Sequence, residues 1–504
     1  MSEKKVHLEV EDVPAPRSRH SSETKALEKS NFLGSAPLIK TMWMLTYPDL
    51  IEKFTEAFYS IIDTMFIGSM AGDTEAERVS SLAAISFSIP LVQGLVFGAC
   101  LFISIGSGAL YSQSLGKNNN HDAESIIWNM FLMCLVIGIV CPILYDSLSY
   151  YLLLLLGASP DTDVFHPAQL YFIIVSSGMI FDLFSVGCSS LIRGEGSALF
   201  SSGIMICGFI MNLICDPIFI GALKLNVIGA GISTMLGYAV SGLLGFIYFF
   251  TKKATVHVSF KKVHFSWSLM KPVMNIGISG LCSAFSIAIF NLATNRLILH
   301  YSPYDATDER TIAAIAAAGA VGRVNYFCFL PMLSISQAIM PILSYCKGAK
   351  LYKRHMDCMR NGFIASFSLG VILAILGYFL APVLGRAMGD SEEFMNFFVP
   401  AMRYATSSVP LGAFALIMYP TLQSNGYGLM AAVLIACKQC IFYIVVQIII
   451  CEIRHDIWGC FMANPFADLC SSIFALIIFC IYRKKLSGGR HASMDETLCK
   501  PTTI

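Results

Sequence analysis

The stretch from Tyr47 to Gly68 is apolar enough to cross a bilayer, yet it carries Asp49, Glu52, Lys53, Glu56 and Asp63. A hydrocarbon core of about 30 Å takes roughly 20 residues of helix. Pro48 and Asp49 then stand at one edge, and Glu56 and Asp63 lie at depth. On a helix Glu52, Glu56 and Asp63 fall at i, i+4 and i+11, on one face. A carboxylate facing lipid is costly, so this face must look into protein or a wet cavity. A second polar set lies further on: Asn212 and Asp216 at i and i+4 in NLICDPIFI, and Thr234 in GAGISTML. Two carboxylates, an amide and a hydroxyl offer oxygen ligands to a hard cation such as Na⁺, or a carboxyl pair that holds a proton. The plainer role for Asn212 and Asp216 is hydrogen bonding between helices.

Other intramembrane polar residues are weaker candidates for cavity or substrate contacts. Glu56 lines the face of Asp63 or pairs with Lys53. Asp182 falls in the middle of SSGMIFDLFSVG, and Gln337 lies in an apolar run. Lys438 sits about ten residues inside another run, where it balances charge, repels cations or snorkels to the interface. Cys437 and Cys440 form a CxxC inside the same run, with no second pair or His to make a zinc site. No GxxxxGK[ST], HExxH or GxSxG occurs, so neither ATP hydrolysis within this chain nor intramembrane hydrolysis is expected, and the chain is read as no enzyme. The loop GKNNNHDAE lacks the basic loop pattern of major-facilitator transporters.

The elements that must position these groups are membrane helices. The 504 residues are 56% hydrophobic and only 13% charged, well under the roughly 25% charge of soluble domains. A net charge of +1 argues against a nucleic-acid partner. The 17 cysteines are scattered through apolar segments and read as small core residues. Twelve apolar runs are expected as helices, near 45–69, 80–106, 124–146, 167–191, 198–221, 227–250, 270–298, 311–345, 361–384, 397–422, 428–451 and 457–482. The predicted organisation is a disordered tail (1–40), an N-lobe (41–251), a linker (252–268), a C-lobe (269–485) and a tail (486–504). Lys117, Arg193, Lys252, Lys253, Lys261, Lys262, Lys347, Lys350, Lys353, Arg354 and Arg483 fall in alternate loops, which predicts both termini in the cytoplasm.

The halves resemble each other. Ser81–Ile85 matches Thr311–Ile315 at an offset of 230, Ser112–Gly116 matches Ser344–Gly348 at 232, and Leu191–Gly196 matches Thr421–Gly426 at 230. Six helices per unit predict a pseudo-two-fold axis along the membrane normal, with binding between the lobes. Near that offset Asp63 pairs with Thr294 (231 residues on), and at 230 Asn212 and Asp216 pair with Phe442 and Val446, Thr234 with Asn464, and Lys438 with Gly208. The charged set is thus peculiar to the first half.

At IIDTMFIGSMAG, LAAISFSIP, LIRGEGSALFSSG, NLICDPIFI, GAGISTML, SISQAIMPILSYCKGAK, LQSNGYG and KQCIF the sequence resembles the multidrug and toxic compound extrusion (MATE) family, nearest its prokaryotic-type, DinF-like branch. The resemblance covers Pro48 to Tyr482. It implies an all-α integral membrane protein of twelve helices in two lobes that exports small organic, often cationic, compounds against H⁺ or Na⁺. It also implies a cation site at Asp63, Asn212, Asp216 and Thr234, with Tyr59 one turn before Asp63 as a further matching position. Met340, Cys346 and Lys438 depart from the family pattern, as do Glu52 and Glu56. No cofactor is implied. A monomer in the plasma membrane is expected. A lipid-linked-precursor flippase of the same superfamily, or a non-transporting receptor or scaffold, is the alternative.

Overall fold

The computed structural model describes residues 32–72, 74–156, 159–258, 265–301, 309–388, 391–456 and 458–487. Among the described residues the chain is all helix and turn. The helices are α1 (Leu38–Met70), α2 (Glu75–Leu91, Val92–Phe97 and Gly98–Gly116), α3 (Asn120–Leu155), α4 (Phe165–Ser177 and Met179–Gly194) and α5 (Ala198–Asp216 and Pro217–Ala222). They continue as α6 (Asn226–Tyr248), α7 (Trp267–Tyr301), α8 (Glu309–Gly348) and α9 (Tyr352–Met388). The last three are α10 (Glu392–Ser408 and Ala413–Ser424), α11 (Gly428–Ala436, Cys437–Ile441 and Phe442–Arg454) and α12 (Trp458–Leu486).

Among the described residues nine helices are long and apolar enough to cross a membrane, and the two bent pairs in α4 and α10 raise the number to 11. α1 stands outside that set because of its charges. All twelve expected runs fall on helices. The first tail is shorter than expected, because Phe32–Ser35 is helical and Leu33 is fully buried, with its carbonyl accepting from Arg354 Nε at 3.0 Å. Residues 1–31, 259–264 and 488–504, where most of the tails and the middle of the linker were expected, lie outside the described residues.

Helix starts follow local chemistry. Thr74 and Glu77 close a capping box before α2, and Asn119 and Ser391 cap α3 and α10 through their side-chain oxygens. The outward faces are apolar, with Trp43, Ile139, Ile143, Phe379, Val383 and Ile453 exposed, as lipid contact requires.

The backbone repeats its turns. Left-handed residues recur as Asn118 and Lys350, Gly196 and Gly426, and Asn226 and His455, at offsets of 232, 230 and 229. α4 bends by 49° next to Gly178, and α10 bends by 48° after Ser408, 230 residues on. The two halves meet closely at the end that carries Lys117 and Lys347. There Ser112 Oγ donates to Pro341 O at 2.9 Å, Gln113 Nε2 donates to Ser424 O at 2.7 Å, and Gly348 packs on the Gln113 carbonyl.

Candidate functional site

α5 and α6 cross where both have glycine. A β-carbon on Gly208 would stand 2.7 Å from the Gly237 carbonyl, and one on Gly237 would stand 2.8 Å from the Gly208 carbonyl. Any larger residue would force the helices apart. The close crossing carries Asn212 to Thr234, whose hydroxyl lies 3.4 Å from Asn212 Nδ2. Immediately after Asp216 the backbone widens into a π-turn at Pro217–Ala222. Pro217 has no N–H to continue the ladder, so the turn widens at the carboxylate.

α1 runs along α5 and brings the Asp63 carboxyl up to that of Asp216. Asp216 and Asn212 are buried, at 0% and 2% exposure, and Asp63 is half-buried. Among the described residues Asp63 Oδ1, Asn212 Oδ1 and both oxygens of Asp216 are buried without a close hydrogen-bond partner. Thr234 Oγ1 donates to Ala230 O at 2.9 Å, and Ser233 Oγ, which donates to Gly229 O at 3.0 Å, stands beside the Asp216 carboxyl. Two carboxylates brought together with so few donors are unstable as a pair of anions and call for a cation or a proton between them.

A small cavity adjoins the cluster. It is lined by Asn212, Thr234, Gly208 and Gly237 together with Tyr59 and Tyr238, and has room for about one water molecule. Tyr59 is held by stacking on Phe209, with ring centroids 5.3 Å apart and planes at 8°. The Tyr171 hydroxyl reaches Thr234 from α4.

The other expected site residues lie elsewhere. The acidic face of α1 divides. Glu56 is engaged by Lys53 Nζ at 2.7 Å, the plainer of its two expected roles. Asp49 and Glu52 turn to Arg193 in α4, at 2.5 and 3.1 Å, deep in the protein. Asp182 is buried in α4 and accepts from Cys100 Sγ at 3.2 Å. Gln337 is half-buried in α8, in the other half of the chain.

Lys438 does not snorkel. It sits in the π-turn of α11 and pairs with Asp468 of α12 at 2.6 Å. The expected snorkelling alternative is thereby replaced by a buried ion pair. Asp468 is a buried carboxylate of the second half whose position matches none of the first-half ligands, so comparison of the halves does not single it out. A lone acid amid the apolar residues of FMANPFADLCSSIF was the signal. Arg193, read as a loop base, is likewise buried, its side chain 13% exposed.

The MatE family profile matches residues 48–218 and 309–449. The chain is 20% identical over 464 residues to the multidrug export protein MepA of Staphylococcus aureus (strain MSSA476), covering 91% of this chain and 97% of that protein. Its fold is similar to the crystal structure of MATE in the straight conformation, with a TM-score of 0.82, 17% identity, and coverage of 91% and 99% of the two chains. It is also similar to the outward-facing conformation of a multidrug resistance MATE family transporter of the MOP superfamily, with a TM-score of 0.80, 18% identity and the same coverage.

Proposed function

The chain belongs to the MatE family, a family of transporters and not of enzymes, and from that membership we propose a secondary active multidrug exporter that works by alternating access. Its substrates are small organic compounds, cationic in the main, exchanged against H⁺ or Na⁺. The observation that carries this reading is the set of buried, unpartnered oxygens on Asp63, Asn212 and Asp216 beside Thr234. In the outward-facing state the set takes up the coupling ion. In the inward-facing state it releases that ion, and substrate binds in its stead. Coupling follows if ion and substrate favour different states, because a ligand that binds both states equally shifts nothing.

The same reading makes residues 41–251 and 269–485 the two lobes, places both termini in the cytoplasm, and assigns a monomer to the plasma membrane. It places the protein in the DinF-like branch. The close packing of the halves around Gln113 and Gly348 would then lie at the cytoplasmic end, with the cavity open to the outside.

The test is efflux of a fluorescent organic cation from proteoliposomes under a pH gradient or a Na⁺ gradient applied separately. One gradient should drive efflux, and Asp63→Asn/Asp216→Asn should abolish it in protein that still inserts and elutes as a single species. Retained efflux in that double variant would overturn the assignment.

A further inference from the structure

We propose that the second half contains a cation site of its own that the chain keeps filled with a tethered cation, the Lys438 ammonium held on Asp468. The inference rests on the coupling role proposed for the first half and states why the second half takes no part in it.

The offset of 230 between the halves, which the backbone reproduces at Gly196 and Gly426, pairs Lys438 with Gly208 and Asp468 with Tyr238. Gly208 and Tyr238 line the first-half cavity. At the corresponding place in the second half the space is filled. Lys438 Nζ lies 2.6 Å from Asp468 Oδ1, Tyr443 Oη donates to Asp468 Oδ2 at 2.8 Å, and the Asp468 side chain is fully buried. The ammonium also lies 5.8 Å from the centre of the Phe329 ring, within reach of a cation–π attraction.

Backbone makes room for this pair. A β-carbon on Gly412, at the bend of α10, would stand 2.9 Å from Asp468 Oδ1 and 3.0 Å from Lys438 Nζ. The position that pairs with Gly412 is Asp182. The two halves therefore share a framework with opposite fillings. In the first, a cavity lined by glycine lies beside the acids, and among the described residues no lysine or arginine pairs with Asp63 or Asp216. In the second, a lysine supplies the cation and closes the space.

A buried carboxylate without a counter-charge is strongly disfavoured. Truncating Lys438 should therefore convert Asp468 into a site for an external monovalent cation of ammonium size. The ligand class is small and monovalent: methylammonium, Na⁺ or a proton. With Lys438 in place, only the first half exchanges an ion during transport.

The experiment is thermal unfolding of the full-length protein in detergent, which requires no transport. Wild type, Lys438→Ala, and Lys438→Ala/Asp468→Asn are each titrated with methylammonium chloride, with NaCl, and with acid. N-methyl-D-glucamine chloride, too bulky for the site, serves as the ionic-strength control. Lys438→Ala should melt several degrees below wild type and recover saturably with methylammonium, Na⁺ or acid. The double variant, which leaves no charge behind, should melt near wild type and respond no more than wild type does. A Lys438→Ala protein indifferent to all three additions, or one that responds equally with Asp468→Asn present, would overturn the proposal. Because the reading of the first half is tested by efflux in Asp63→Asn/Asp216→Asn, the failure of either is told from the failure of the other.

Discussion

Replacing Arg193 with Met should be among the most damaging single changes outside the proposed coupling cluster. The guanidinium lies 2.5 Å from Asp49 Oδ1 and 3.1 Å from Glu52 Oε2, and the three side chains are 13%, 0% and 3% exposed. At an effective dielectric of about 20, charges at those separations attract by roughly 7 and 5 kcal/mol. Most of that gross attraction is cancelled by the cost of desolvating three ions. Removing the cation alone keeps the desolvation cost and loses the compensation, so two buried anions remain. Lys53 cannot take over, because it is 4.0 Å from Glu52 and already holds Glu56 at 2.7 Å. Breaking a buried pair in this way costs about 3–5 kcal/mol, which is on the order of a hundredfold or more in the folded-to-unfolded ratio. Graded SDS unfolding of the detergent-solubilised protein measures it. The companion variant Arg193→Met/Asp49→Asn/Glu52→Gln removes the anions along with the cation and should return to within about 2 kcal/mol of wild type. The reasoning is refuted if Arg193→Met loses less than about 1 kcal/mol, or if the triple variant is no better than the single one.

Two further predictions concern the end where the halves meet. Glu195 is buried and accepts from Tyr111, Tyr248, Ser197 and the Thr255 amide, so it ties the segment after α6 to the helix ends. Glu195→Ala should cost about 3 kcal/mol, given roughly 1.5–3 kcal/mol for a bond to a charged group and partial replacement by water, and should speed tryptic cleavage after Lys252 and Lys253. An unchanged cleavage rate would count against the tie. Gly348→Ala sets a methyl group against the Gln113 carbonyl and should pry that contact open. Labelling of Cys346, buried at 0% exposure, by N-ethylmaleimide should then rise several-fold when mapped by mass spectrometry, and equal labelling in wild type would refute it.

Much of this architecture was legible because bilayer physics is severe. Apolar runs of spanning length become helices, since a backbone in hydrocarbon must satisfy its own hydrogen bonds, and all twelve runs did so. The grouping of Asn212, Asp216, Thr234 and Asp63 was legible for a related reason. Helical spacing put the first two on one face, and comparison of the halves marked the set as unpaired. What spacing does not encode is which neighbour a charge finds. The i, i+4, i+11 face of α1 looked like one polar stripe, yet Arg193 from α4 takes Asp49 and Glu52, and Lys53 takes Glu56. Arg193 sits beside a loop, where a basic residue reads as an orientation signal and its burial is not encoded. Asp468 was passed over for a different reason. Its counterpart, Tyr238, is a phenol, so a comparison keyed to the first-half ligands did not reach it.

Asp182 accepts from the neutral Cys100 thiol; the distribution of partners separates the other carboxylates discussed above into two kinds. Asp49, Glu52, Glu56 and Asp468 each have a cation from the chain itself within 4.0 Å. Such groups are held in one geometry, because moving either partner alone exposes a buried charge. Among the described residues Asp63 and Asp216 have each other and the neutral groups of Asn212, Ser233 and Thr234 beside them. Their counter-charge must arrive from solution, so their energy depends on whether the site is open to water and whether an ion is present. A group whose stability depends on an external ion can respond to a gradient, and a group paired within the chain cannot. That difference, more than the number of acids in the membrane, is why the proposed coupling is assigned to the α1–α5–α6 contact.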